Sequence, residues 1–233
     1  ATIDTDSKDF ISDGELSIKG KTDISTNHFQ TTGNSIIEGS LDLKAKDSFK
    51  NTGKFQVKED ASIKSKGFEN KNLIVTGKNL VIDSKEGGIY SKDLSVGSNL
   101  RVDSKGIEIN GDTTVGGEAL INNTGGIENE GNLHVHKKLT INTKSFKSKG
   151  SISSSGLDFK LDGDFRNEGD IQSRGDTQIV NSKNGGEIRF DNGDISIVGN
   201  LKVDSKGSNL VHNKKILASG KIDLDVKSIN AVD

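Results

Sequence analysis

Apolar positions in this chain come in short alternating pairs, not long runs, and the pairs return about every 20 residues. Phe10, Phe29, Phe49, Phe68, Phe146 and Phe165 mark one slot of the repeat, reached in steps of 19 or 20 residues. Phe190 takes the same slot after a longer gap, and Ile89, Ile107, Ile127, Leu210 and Ile229 fill it elsewhere. Seven of the nine phenylalanines therefore share one repeat position. Two residues after the slot Asn recurs (Asn51, Asn70, Asn129, Asn167, Asn192), and four residues after it Gly recurs (Gly14, Gly33, Gly53, Gly111, Gly131, Gly150, Gly169). An alternating pair follows, such as Phe55/Val57 or Leu133/Val135, then a polar turn and a second pair, such as Leu41/Leu43 or Leu139/Ile141. A further turn closes the unit, spelled Asp-Ser-Lys at 83–85, 103–105 and 204–206.

Alternation with a period of two puts one side chain inward and the next outward, so each unit predicts three short strands joined by three turns. Strands this short are not stable alone. Stacked on the equivalent strand one unit away, each pairs above and below. The predicted fold is all-β: a right-handed parallel β-helix, or solenoid, with three short strands per coil, about 20 residues per coil and about 11 coils. At about 4.8 Å per coil the rod is roughly 50 Å long. Residues 1–233 form one segment. Its core stack is Phe10, Phe29, Phe49, Phe68, Phe146, Phe165 and Phe190, with buried Asn forming amide ladders beside it. The Gly after each Asn fits a corner that needs positive φ. The step from Phe165 to Phe190 is 25 residues, about six too many, and predicts a protruding loop at 181–187.

Composition supports a thin core. Apolar residues are 30% of the chain and aromatics 4%, against about 45–50% apolar, Gly included, in ordinary domains. Such a chain cannot fill a wide globule. Proline is absent, which leaves every backbone N–H free for the ladders. The net charge is −2 and no basic run stands out, so nucleic acid is not an expected partner. Cysteine is also absent, which avoids premature cross-linking if the chain must cross a membrane unfolded. With no initiator Met and no visible cap at Ala1 or Asp233, the segment reads as an interior piece of a larger protein.

The unit apolar-x-Asn-x-Gly-x-apolar-x-apolar, as in Phe49 to Val57 and Ile127 to Val135, resembles the repeats of filamentous haemagglutinins across essentially the whole chain. These build large bacterial exoproteins exported by two-partner secretion, among them adhesins, haemolysins and contact-dependent inhibition toxins. The resemblance implies export through an outer-membrane transporter, a secreted or cell-surface location, and a shaft that presents binding regions to a host or bacterial cell-surface receptor or glycan. The proline-containing signature of the amino-terminal secretion domain and a toxin-like carboxyl-terminal domain are both missing.

Catalytic, metal and cofactor sites are predicted to be none, and the chain is not expected to be an enzyme. The alternative, a polysaccharide-acting enzyme or carbohydrate-binding module, rests on Glu108, Glu128 and Glu130, whose carboxylates could share an outward face. Lys147 and Lys149 lie one coil beyond, followed by Arg166 and Glu168, so the charge pattern predicts cross-coil ion pairs instead. His134 and His136 share an outward face, but their neighbours Thr114, Gly116, Ser153 and Ser155 are not metal ligands. His28 and His212 stand isolated, and no Ser/His/Asp arrangement is apparent. Asp162-Gly163-Asp164 with Glu168 and Asp170 lacks full calcium-loop spacing. Arg174-Gly175-Asp176 spells an integrin-type tripeptide in a predicted turn and is the candidate receptor-binding turn.

Overall fold

The computed structural model describes residues 1–6, 8–182 and 186–231. Among these residues the chain forms 27 strands and no helix. Neighbouring coils pair in parallel, each strand on its equivalent one coil away. One coil illustrates the rest: Leu133–Val135, Lys138–Thr143 and Ser145–Ser148 pair with Ile152–Ser154, Gly156–Leu161 and Phe165–Asn167. The result is a solenoid of about 11 turns with roughly 20 residues per turn.

Residues that alternate inward form one continuous core. Phe10, Phe29, Phe49 and Phe68 stack nearly face to face, with centroid separations of 5.1, 5.4 and 4.8 Å. Phe55, from the second strand of its coil, meets Phe29 and Phe49 edge-on at 6.0 and 5.7 Å. Phe146 and Phe165 form a second stack at 5.4 Å, wedged by Phe159. Ile89, Ile107 and Ile127 bridge the two stacks and are buried. The parallel stacking follows from geometry: identical side chains in register one coil apart can hold the same rotamer, so their rings lie parallel.

Three details of the sequence reading are corrected. First, Phe190 does not occupy the phenylalanine slot. Phe165 pairs with Ile188, 23 residues on, and Phe190 pairs with Asn167. It fills the asparagine position and touches Phe165 at a steep angle, 5.5 Å between centroids. Ile188 and Phe190 both point inward, so alternation alone did not decide which holds the slot. One extra residue between Phe190 and the corner restores the phase, because Gly193 still stacks on Gly169. Asn192 is consequently exposed. In the predicted 181–187 loop, residues 183–185 lie outside the described residues, whereas Ser182 and Glu187 are held to the preceding coil through Leu161 O and Asp164 Oδ1.

Second, the buried asparagines do not form a continuous ladder. Asn51 Nδ2 donates to Asn70 Oδ1 at 2.8 Å, but Ser91 and Ser148 continue the column in the following coils. The commoner bond is local. Asn129 Nδ2 donates to Gly131 O at 2.6 Å, Asn70 Nδ2 to Asn72 O at 2.8 Å, and Asn167 Nδ2 to Gly169 O. The side-chain amide closes its own corner, which accounts for the Asn-x-Gly spacing.

Third, the corner glycines do not need positive φ. Among the described glycines only Gly20 and Gly199 have it. A Cβ placed on Gly33, Gly53, Gly131, Gly150 or Gly169 would lie under 3.0 Å from the carbonyl of the glycine one coil below. Close approach of two backbones, not dihedral freedom, selects glycine at this column.

Candidate functional site

Outward positions are organised by the coil spacing, which brings together residues about 20 apart. Glu128 has Glu108 on one side and Lys147 on the other as register partners. Glu130 binds Lys149 at 2.8 Å, and its carboxylate holds the Lys149 ammonium above the ordinary lysine range. Glu108 accepts from Asn110 Nδ2 at 2.8 Å. Arg166 turns to Glu168 on its own strand and to Asp191 in the next coil, at 3.3 and 2.7 Å. The three glutamates share one surface, on which Glu108 is held by Asn110 and Glu130 by Lys149.

A Ser/His/Asp grouping absent from the sequence reading does form. Ser48 Oγ lies 2.8 Å from His28 Nδ1, and His28 Nε2 lies 3.9 Å from Asp47 Oδ2. The second gap exceeds a hydrogen bond, so the carboxylate does not orient the ring as a general base requires. The same Ser–His pairing recurs at His134 Nδ1 and Ser153 Oγ, 2.6 Å apart and with no carboxylate attached. Both are cross-coil pairs of outward side chains. His134 and His136 are exposed, and among the described residues no group of three or more His, Cys, Asp or Glu could hold a metal.

The carboxylates of the Asp-Gly-Asp segment are directed to the next coil: Asp162 accepts from Ser182 Oγ at 3.0 Å, Asp164 from Glu187 N at 2.9 Å, and Asp170 from Asp194 N at 3.0 Å. In the candidate receptor-binding turn, Arg174 and Asp176 are exposed and Gly175 half-buried. Asp176 Oδ1 accepts from Asn200 N and Nδ2 at 2.8 and 3.1 Å, so one oxygen of that carboxylate is committed to the scaffold.

Asp176 belongs to a pattern that sequence reasoning missed. Asp60 accepts from Asn79, Asn79 from Asn99, and Asn99 from the Glu118 backbone. Asp112, Asn132 and Ser151 repeat it at another corner. Asn or Asp at these strand entries takes the backbone N–H of the next coil, a bond that could be suspected from the recurrence of these residues at period 20.

One ionisable group is structurally important. Burial pushes the Asp103 carboxyl up, but hydrogen bonds from Arg101 Nε at 2.9 Å and Asn122 Nδ2 at 2.9 Å outweigh it and hold its pKa below the ordinary value. A depressed folded-state pKa contributes stability above the unfolded-state value, and this is lost as pH falls through the folded-state value. The wild type is therefore expected to exceed Arg101→Ala in urea midpoint at pH 6, with the gap narrowing steadily toward pH 2. A constant gap across that range would show that the carboxylate is not involved.

A solenoid with recurring Asn-x-Gly corners, and with Phe, Ile or Leu in one slot of each coil, is what a family comparison then recognises. The model described as haemagglutinin repeat matches residues 1–169, 138–189 and 196–233. The chain belongs to the haemagglutinin repeat family. No curated protein and no solved structure matches it. For this haemagglutinin repeat chain the match covers both the phenylalanine-stacked coils and the coils beyond residue 195, so the repeat is recognised on both sides of the phase shift at Phe190.

Proposed function

We propose that the chain is a structural and adhesive shaft of a secreted bacterial surface protein, holding binding regions away from the cell that makes it. The carrying observation is the continuous core: among the described residues each coil stacks in parallel on the next, and many outward polar groups pair across coils. Continuous backbone ladders resist bending, and each coil adds about 4.8 Å of reach. Membership of the haemagglutinin repeat family supports an exported, surface-displayed location. An outer-membrane transporter is the partner expected during export, and a cell-surface receptor or glycan the partner expected afterwards. The absence of cysteine is compatible with passage as an unfolded chain. The reading is non-enzymatic, with neither metal nor cofactor.

The test is surface accessibility. Antibody raised against this segment is expected to label intact cells producing the parent protein, and beads coated with the segment to adhere to target cells. Labelling only after the outer membrane is permeabilised would count against surface display. Beads that bind no more cells than uncoated ones would remove the adhesive part.

A further inference from the structure

On the outer surface of the phenylalanine-bearing strands lies an open groove of about 920 Å³. Its floor is made of Gly67, Gly88, Gly106 and Gly126, one from each of four successive coils and each immediately before the core slot. Before and after this stretch the same column carries side chains: His28 and Ser48 on one side, Ser145 and Asp164 on the other. These glycines are unlike the corner glycines. None has positive φ. A Cβ on Gly106 would meet no atom within 4 Å, and on Gly67 and Gly88 the nearest atoms would lie at 4.0 and 3.7 Å. On Gly126 the nearest is the rotatable Ser145 hydroxyl, at 2.8 Å. Packing therefore does not require glycine here, although glycine within a strand weakens it.

The wall beside the floor carries Glu69, Tyr90, Glu108 and Glu128 in register. Tyr90 is the chain's single tyrosine. Its ring lines the groove, half-buried, and its hydroxyl makes no hydrogen bond among the described residues. Eight phenylalanines are buried and the ninth, Phe10, is partly buried in the core, so Tyr90 is the aromatic ring available on this face. Glu108 and Glu128 are register partners, like charges directly opposite on a sheet surface, with Lys147 on the far side of Glu128. Glu128 has no ion pair or hydrogen bond among the described residues. The fold thus bears two local costs at one place, and the open groove and free aromatic ring coincide with them.

We propose that this groove binds a neutral oligosaccharide of three to four pyranose rings. A pyranose offers an apolar C–H face that packs on an aromatic ring and a belt of hydroxyls that donate to carboxylates. The glycine floor admits the flat chain, and the repeat of an extended pyranose chain is close to the coil spacing. Glu69 is paired with Lys50 and Lys71 at 3.7 and 2.8 Å and Lys147 also lines the groove, so the bias against sulfated or sialylated chains rests on Glu108 and Glu128. This assigns a ligand class to the adhesive reading above and rests on it, but the two fail separately.

The experiment is binding of the 233-residue chain to a panel of neutral and anionic oligosaccharides, by array and then by calorimetry. Neutral oligosaccharides are expected to bind. Tyr90→Ala and Gly106→Ser are each expected to weaken binding about tenfold or more, and Tyr90→Phe to retain most of it. Gly106→Ser introduces the residue that the same column already carries at Ser48 and Ser145, and unchanged melting temperatures show that the variants fold. Failure to bind any neutral oligosaccharide, a preference for anionic chains or basic peptides, or binding indifferent to both variants overturns the proposal. Coated beads that adhere to cells equally well with Tyr90→Ala remove the groove from adhesion and leave the shaft adhesive. Oligosaccharide binding without cell adhesion does the opposite.

Discussion

Gly131→Ala is expected to destabilise the solenoid by about 3 kcal/mol, the upper end of the usual cost of overpacking, while Gly106→Ala leaves stability unchanged or raises it slightly. Both glycines have φ outside the positive region, so dihedral strain does not separate them. What separates them is the neighbour. A methyl on Gly131 would strike the Gly111 carbonyl, backbone that is held by its own ladder and cannot step aside. Relief requires the two coils to part, which weakens the strand pairing on either side of the corner. A methyl on Gly106 meets open space, and replacing a strand glycine by alanine recovers about 0.5–1 kcal/mol of backbone entropy. Urea denaturation of the two variants measures the difference directly. Equal midpoints would mean that coil-to-coil approach at the corner is not what selects glycine.

Phe49→Ala is expected to cost about 3–5 kcal/mol, the range for emptying a buried aromatic site. Phe49 is fully buried and touches three other rings, Phe29, Phe55 and Phe68. The cavity cannot close by local collapse, because each neighbouring ring is fixed by its own coil. Phe10→Ala is expected to cost markedly less: Phe10 is only partly buried and stacks on a single ring, Phe29. Thermal unfolding of the two variants gives the comparison, and similar losses would show that the stack does not transmit stability along the rod. Because each coil touches only its neighbours, the central substitution interrupts the stack on both sides whereas the terminal one trims it.

Much of this was legible in the residues. A slot that recurs at 19 or 20, followed by Asn and then Gly, specifies coil length, strand number and the identity of most core residues. That signal is strong because the fold repeats one local instruction, so each coil confirms the last. Phe190 shows where it stops. Ile188 and Phe190 have the same parity, and choosing between them requires the phase of the preceding coil plus every inserted residue. The larger side chain looked like the slot residue, while the register selected the smaller one. The glycines show a second limit. Gly106 and Gly131 are the same letter on the same period, yet one faces a groove and the other a carbonyl.

By itself the sequence determined the class of fold, the period, the three strands per coil and the apolar columns, because these depend only on the order of residues within one coil. The tertiary structure alone decided which outward groups meet: Ser48 with His28, Glu130 with Lys149, Arg166 with Asp191, and Tyr90 between Glu69 and Glu108. Those meetings are set by the register between coils. Register accumulates every one-residue irregularity along the chain, and a single slip exchanges neighbours for the whole face.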